Sequence, residues 1–165
     1  MRTAAIPDAL LCAAVGLALS YAGPKVARQG AVIMVAASLL FAFVPMSGIS
    51  DDVAFTGCWL SIIIAAASVH IPSGLLADTR AAWLWRGLAL NGGFWAGLIT
   101  HVEGGAPAVI VGLPLILLFN PGQIIIRRNW GIAIKVACSW LIAIAVLEIG
   151  LNLVPTPGYQ PDHMD

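Results

Sequence analysis

The feature that most constrains this chain is a succession of long apolar runs, near 6–22, 31–47, 53–77, 83–101, 106–120 and 131–154, each bounded by Gly, Pro or charge. A helix needs about 20 apolar residues to cross a hydrocarbon core, so most of these runs qualify as spans by length. With 60% hydrophobic and 10% charged residues the sequence cannot be arranged as a soluble globule, and lipid must be its solvent. A backbone facing lipid must satisfy its own hydrogen bonds, and runs such as 61–67 lack the alternation of a barrel strand.

The expected fold is therefore all-α: a polytopic membrane helix bundle of about six transmembrane helices, forming one domain over 1–154. Residues 155–165 follow as a proline-rich external tail that cannot continue a helix. The fifth run is short and carries Pro107 and Pro114, so it reads as a broken or re-entrant segment as readily as a full crossing. The first run reads better as a span than as a cleavable signal, because Pro7 and Asp8 interrupt the usual basic-to-apolar transition.

Charge placement gives an independent check on this parse. Lys25 and Arg28, then Arg80 and Arg86, then Arg127 and Arg128 fall on alternate connections, which must share one face. The other face receives Arg2 and Asp8 at the N-terminus, Asp51 and Asp52, Glu103, and the tail with Asp162 and Asp165. By the positive-inside rule the basic face is cytoplasmic, so the expectation is a multi-pass inner (plasma) membrane protein with both termini on the non-cytoplasmic side. Trp59, Trp83, Trp85 and Trp130 lie near span ends and read as interfacial anchors.

Sliding the chain against itself from Val35 to Val111 also matches Leu39, Phe43 and Pro45 to Leu115, Phe119 and Pro121. The same 76-residue shift lays spans one and three on spans four and six, which with three spans per half suggests a 3+3 inverted repeat. Apolar helices also match one another cheaply, so the shift alone does not require duplication.

Polar groups inside a bilayer are costly, and those within spans are the first candidates for function. Glu148 lies in an otherwise apolar stretch of span six, with Asn152 one turn away on the same face. Asn91 precedes Gly92 and Gly93 in mid-span, where paired glycines permit either close helix approach or a local break. His70 and the Pro72-Ser73-Gly74 step suggest a kink beside a polar side chain, and Lys135 reads as a snorkelling residue. These four, Glu148, Asn152, Asn91 and His70, form the candidate ligand or ion-binding set.

Cys12, Cys58 and Cys138 are widely spaced in apolar runs and read as buried, inert thiols. No catalytic residue, metal ligand set, cofactor or phosphate-binding loop is expected, and the near-zero net charge offers no field for nucleic acid. Ile6-Pro7-Asp8 and Gly48-Ile49-Ser50-Asp51 resemble motifs of the small membrane aspartyl peptidases that process prepilins. The second glycine, the preceding Asp and the following lysine of the family pattern are absent here.

Three functions fit. A small transporter or channel for an ion or small solute draws on the Gly and Pro interruptions and on Glu148 and Asn91. A non-catalytic subunit or assembly factor of a larger membrane complex draws on the short loops and the lack of a chemical constellation. A membrane-embedded enzyme stands lower. The expected partners are the lipid bilayer and either copies of this chain, as a homo-oligomer, or other membrane subunits. Convergence of the four polar residues on one cavity would favour transport, and their separation would favour the subunit.

Overall fold

The computed structural model describes residues 5–44, 48–72, 79–102 and 112–153, and of 79–81 the backbone only. Among these residues the protein is all-helical. The elements are α1 (Ala5–Leu19), α2 (Pro24–Phe43), α3 (Asp51–Ser68), α4 (Thr79–Val102), a 3-10 segment (Leu113–Leu118), α5 (Phe119–Arg127) and α6 (Gly131–Leu153). Pro45, Glu103, Pro107 and the tail from residue 154 lie outside the described residues.

Helices α2, α3 and α6 are long and apolar enough to cross a membrane, while α1 and the run Leu113–Arg127 are shorter apolar helices. At 1.5 Å per residue, the 20 residues of α2 reach about 30 Å, one hydrocarbon thickness. The outer surface carries Leu40, Phe43, Ile64, Leu90, Leu147 and Leu151. A soluble protein would be expected to aggregate through so much exposed apolar area. Inside and outside are separated here by size rather than polarity, since the buried set is rich in Ala, with Cys, Ser and Gly among it. Lipid tails are as apolar as Leu, so helices associate where small residues let backbones approach.

That principle is clearest between α2 and α4. A methyl group at Gly93 would lie 2.5 Å from Met34 O, and one at Gly97 would lie 2.5 Å from Ser38 O. One turn further on, His101 Nδ1 donates to Ala42 O at 3.2 Å. Successive turns of α4 thus rest on successive turns of α2, and Phe41 and Phe94 seal the flank edge to face at 4.8 Å. Helix α4 runs unbroken through Asn91-Gly92-Gly93, so these glycines serve close approach and not a discontinuity.

Paired residues give the relative directions. Gln29 with Arg86, Met34 with Gly93 and Ala42 with His101 make α2 and α4 parallel. Asp8 with Gly112, Gly16 with Ile116 and Ala22 with Gln123 make α1 parallel to the 112–127 segment. Ile71 and Leu84 at one end of the α3–α4 contact, with Ser61 and Asn91 at the other, make those helices antiparallel. The described basic residues Lys25, Arg28, Arg86, Arg127 and Arg128 consequently collect at one end, and Asp8, Asp51 and Asp52 at the other.

Several boundaries differ from the sequence reading. Span three was expected to run through Pro72 with a kink, but α3 stops at Ser68 and closes with turns from His70 N to Ala67 O and Ile71 N to Ser68 O. Proline disfavours helical geometry in the residue before it and has no N–H to donate, so Pro72 terminates where a kink was expected. The fifth run was placed at 106–120, yet helix continues to Arg127. Pro114 falls in the first positions of the 3-10 segment, and Pro121 falls in the first turn of α5, where the lost N–H costs least. Asn129 then takes a left-handed φ of 60° and reverses the chain into α6.

Trp83 and Trp130 are exposed at the basic end, as anchors should be. Trp59 and Trp85, also expected near span ends as anchors, are instead core residues at 2% exposure, because their helical phase turns them toward neighbouring helices.

The two triplets pair differently. Helix α1 packs along α3, whereas α4 and α6, which the 76-residue shift lays on them, share no comparable packed face.

Candidate functional site

The four sequence candidates fall at three separate points. Asn91, half-buried, donates from Nδ2 to Ser61 Oγ at 2.9 Å and so ties α4 to α3. His70 is exposed, with Nε2 3.5 Å from Ser139 Oγ on α6. Glu148 is half-buried and Asn152 exposed, one turn apart on α6 as their spacing dictates. Among the described residues Glu148 has no hydrogen-bond or ion-pair partner. Lys135 is exposed near the start of α6, as a snorkelling residue would be.

Helix α6 itself is peripheral. Of its 23 residues only Ile134, Cys138 and Ala145 are buried, a narrow stripe set against α3. Leu141, Ile142 and Ile149 pack partly against the core, and most of the remaining residues, including Trp140, Leu147 and Leu151, face outward. Glu148 and Asn152 therefore put a carboxylate and an amide on the outermost helix of the bundle, in a region whose surroundings are apolar.

One residue that sequence reasoning passed over is Asp8. Its side chain is 2% exposed, with Oδ1 4.0 Å from Cys12 Sγ and Oδ2 lacking any hydrogen-bond partner among the described residues. Gly112 lies directly against the carboxyl, so that a Cβ there would collide with Oδ2. Helical spacing explains the burial: Asp8, Leu11, Cys12, Val15 and Leu19 form one stripe, all buried. That stripe was legible in the sequence, but Asp8 had been assigned to the external surface on the strength of its charge.

Asp51 is exposed at the start of α3, with Asp52 beside it in the first turn, where acids complement the helix dipole. Asp8 is buried and Asp51 exposed, so the two segments that resemble the peptidase motifs differ in environment. All three cysteines are free and buried, and no group of three His, Cys, Asp or Glu side chains comes together among the described residues as a metal ligand set.

Crowding at Asp8 gives a direct prediction. Gly112→Ala should destabilise the fold by about 1–3 kcal/mol, the usual cost of overpacking, and Asp8→Ala in the same chain should recover most of that loss. Thermal unfolding of the two single variants and the double variant measures the coupling. Additive effects would mean that the two residues do not touch.

No family model, curated protein or solved structure matches this chain.

Proposed function

We propose that this protein is a non-catalytic subunit or assembly factor of a larger membrane complex, docked through α6. The observation that carries the reading is Glu148: a carboxylate on the outermost helix, flanked by Leu147 and Leu151, without a partner among the described residues. An ionisable group facing hydrocarbon is disfavoured by a few kcal/mol, and a neighbouring helix that supplies a donor removes that cost. The separation of Asn91, His70 and Glu148 supports the same reading, since transport would need them around one path.

The partner helix should carry a basic or hydrogen-bond-donating side chain at the depth of Glu148. A second copy in the same orientation would instead bring Asp51 and Asp52 to that end, so charge complementarity favours a different chain. Photo-crosslinkers at Leu147 and Leu151 should give adducts to one other protein that the same probes at Leu39 and Phe43 of α2 do not give. Glu148→Lys should abolish the adduct without lowering membrane abundance, and reversing the partner's basic residue should restore it. Adducts only to lipid or to this chain itself would overturn the proposal. Glu148→Gln separates the two possible contacts, keeping assembly if a hydrogen bond suffices and losing it if the charge is required.

A second reading rests on Asp8, whose buried Oδ2, without a partner among the described residues, suits proton or cation handling in a small transporter. Under that reading Asp8→Asn abolishes flux in proteoliposomes while the protein accumulates normally. Inverted duplication would strengthen it, but the unlike pairing of α1 with α3 and of α4 with α6 gives that idea no help.

Orientation follows from the basic end. Six crossings with that end in the cytoplasm of an inner membrane put both termini outside. Reporter fusions at residues 26, 80 and 128 should then read as cytoplasmic, and those at 50, 104 and 160 as external. Two successive sites on one side would overturn the six-span count.

A further inference from the structure

A groove of about 580 Å³ runs between α3 and α4. Its walls are Ile64, Ala67 and Ile71 on one side and Leu84, Gly87 and Asn91 on the other. Ile64, Ala67, Leu84 and Gly87 are exposed, so the groove opens on the outer surface of the bundle. It begins near mid-helix, where Asn91 holds Ser61, and runs toward the ends of α3 and α4 that lie at the basic pole.

The polar groups along it are already engaged. Asn91 Nδ2 donates to Ser61 Oγ, and Ser68 Oγ donates to Ala65 O at 2.7 Å within its own helix. Water held there would find too few partners, and an empty groove would forfeit the dispersion contacts of its walls. The volume lies in the range of small-ligand sites, roughly 300–1,000 Å³. At the open end Trp83 is exposed, with the Arg86 guanidinium 5.2 Å from its ring, an arrangement suited to headgroup depth. Lys25, Arg28, Arg127 and Arg128 share that pole, and no acidic residue among the described ones does.

We infer that this groove binds one acyl chain of an anionic bilayer phospholipid, with the headgroup held at the basic pole. The apolar walls select a hydrocarbon chain, and the basic side chains described at that pole select an anionic headgroup over a zwitterionic one. In the α4 wall a Cβ built on Gly87 meets nothing within 4 Å, so a larger side chain there fills the groove without displacing either helix.

The test uses the full chain in detergent, with retained lipid measured by native mass spectrometry after incubation with phosphatidylglycerol or phosphatidylcholine. The wild-type protein should keep one phosphatidylglycerol and favour it over phosphatidylcholine by about fivefold or more, the effect of about one basic residue near a membrane surface. Gly87→Leu should lose that lipid, and Ala67→Leu, which fills the groove from the opposite wall, should lose it too. Gly150→Leu is the control, because Gly150 also has open space around it but lies on α6. Retention by both groove variants, equal loss in the control, or no preference between headgroups would overturn the inference. Unfolding curves of each variant identify any that fails to fold, and the remaining groove variant then decides.

Discussion

Gly93→Leu and Gly97→Leu are each expected to abolish stable accumulation of the folded protein, the largest effects of single substitutions in this chain. At both positions even a methyl group would lie 2.5 Å from a backbone carbonyl of α2, where no side chain can swing aside. The helices must separate, and the shared backbone surface is then lost along with the His101 bond to Ala42 and the Phe41–Phe94 contact. Overpacking one core position costs about 1–3 kcal/mol where side chains can adjust, and a leucine against backbone should exceed that range. Membrane abundance and thermal unfolding in detergent would show it, with Gly150→Leu on α6 remaining near wild type. Normal accumulation of Gly97→Leu would mean that the α2–α4 contact is not the keystone of the bundle.

The second large effect is expected at Asp8, in the opposite direction. Asp8→Asn should raise stability by about 1–3 kcal/mol, because it replaces a buried carboxyl whose Oδ2 has no partner among the described residues with a neutral group of the same shape. For a chain of this length that corresponds to roughly 2–4 °C in Tm per kcal/mol. A stabilising substitution at a buried native residue is the pattern expected where a group is retained for activity at the expense of stability. A fall in Tm would mean instead that the carboxyl holds a contact on which the α1–Gly112 interface depends, and Asp8 would then be a packing residue.

Gly92 and Gly93 show how far local sequence can go. Their pairing in an apolar run announced either a close approach or a break, and both outcomes have the same composition. What decided between them was the phase of α2, which presents Met34 and Ser38 at the spacing of Gly93 and Gly97. Glu148 and Asn152 were legible as a one-turn pair because i, i+4 spacing is a property of the helix alone. That this pair lies on a peripheral helix, away from Asn91 and His70, was not legible, since hydropathy reads the same for a span surrounded by protein and a span surrounded by lipid. Asp8 was misplaced for a related reason. Charge near a run's end is normally a surface signal, and only the seating of Gly112 against α1 buried it.

The sequence by itself determined the solvent and therefore the fold class. Apolar runs of this length leave a backbone no economical form but helix, and alternating basic connections sort the helix ends into a basic pole and an acidic one. Tertiary structure alone decided which helices touch. In lipid, helix association follows from small residues meeting in register, and register depends on the mutual rotation and depth of two helices, which no property of either run encodes.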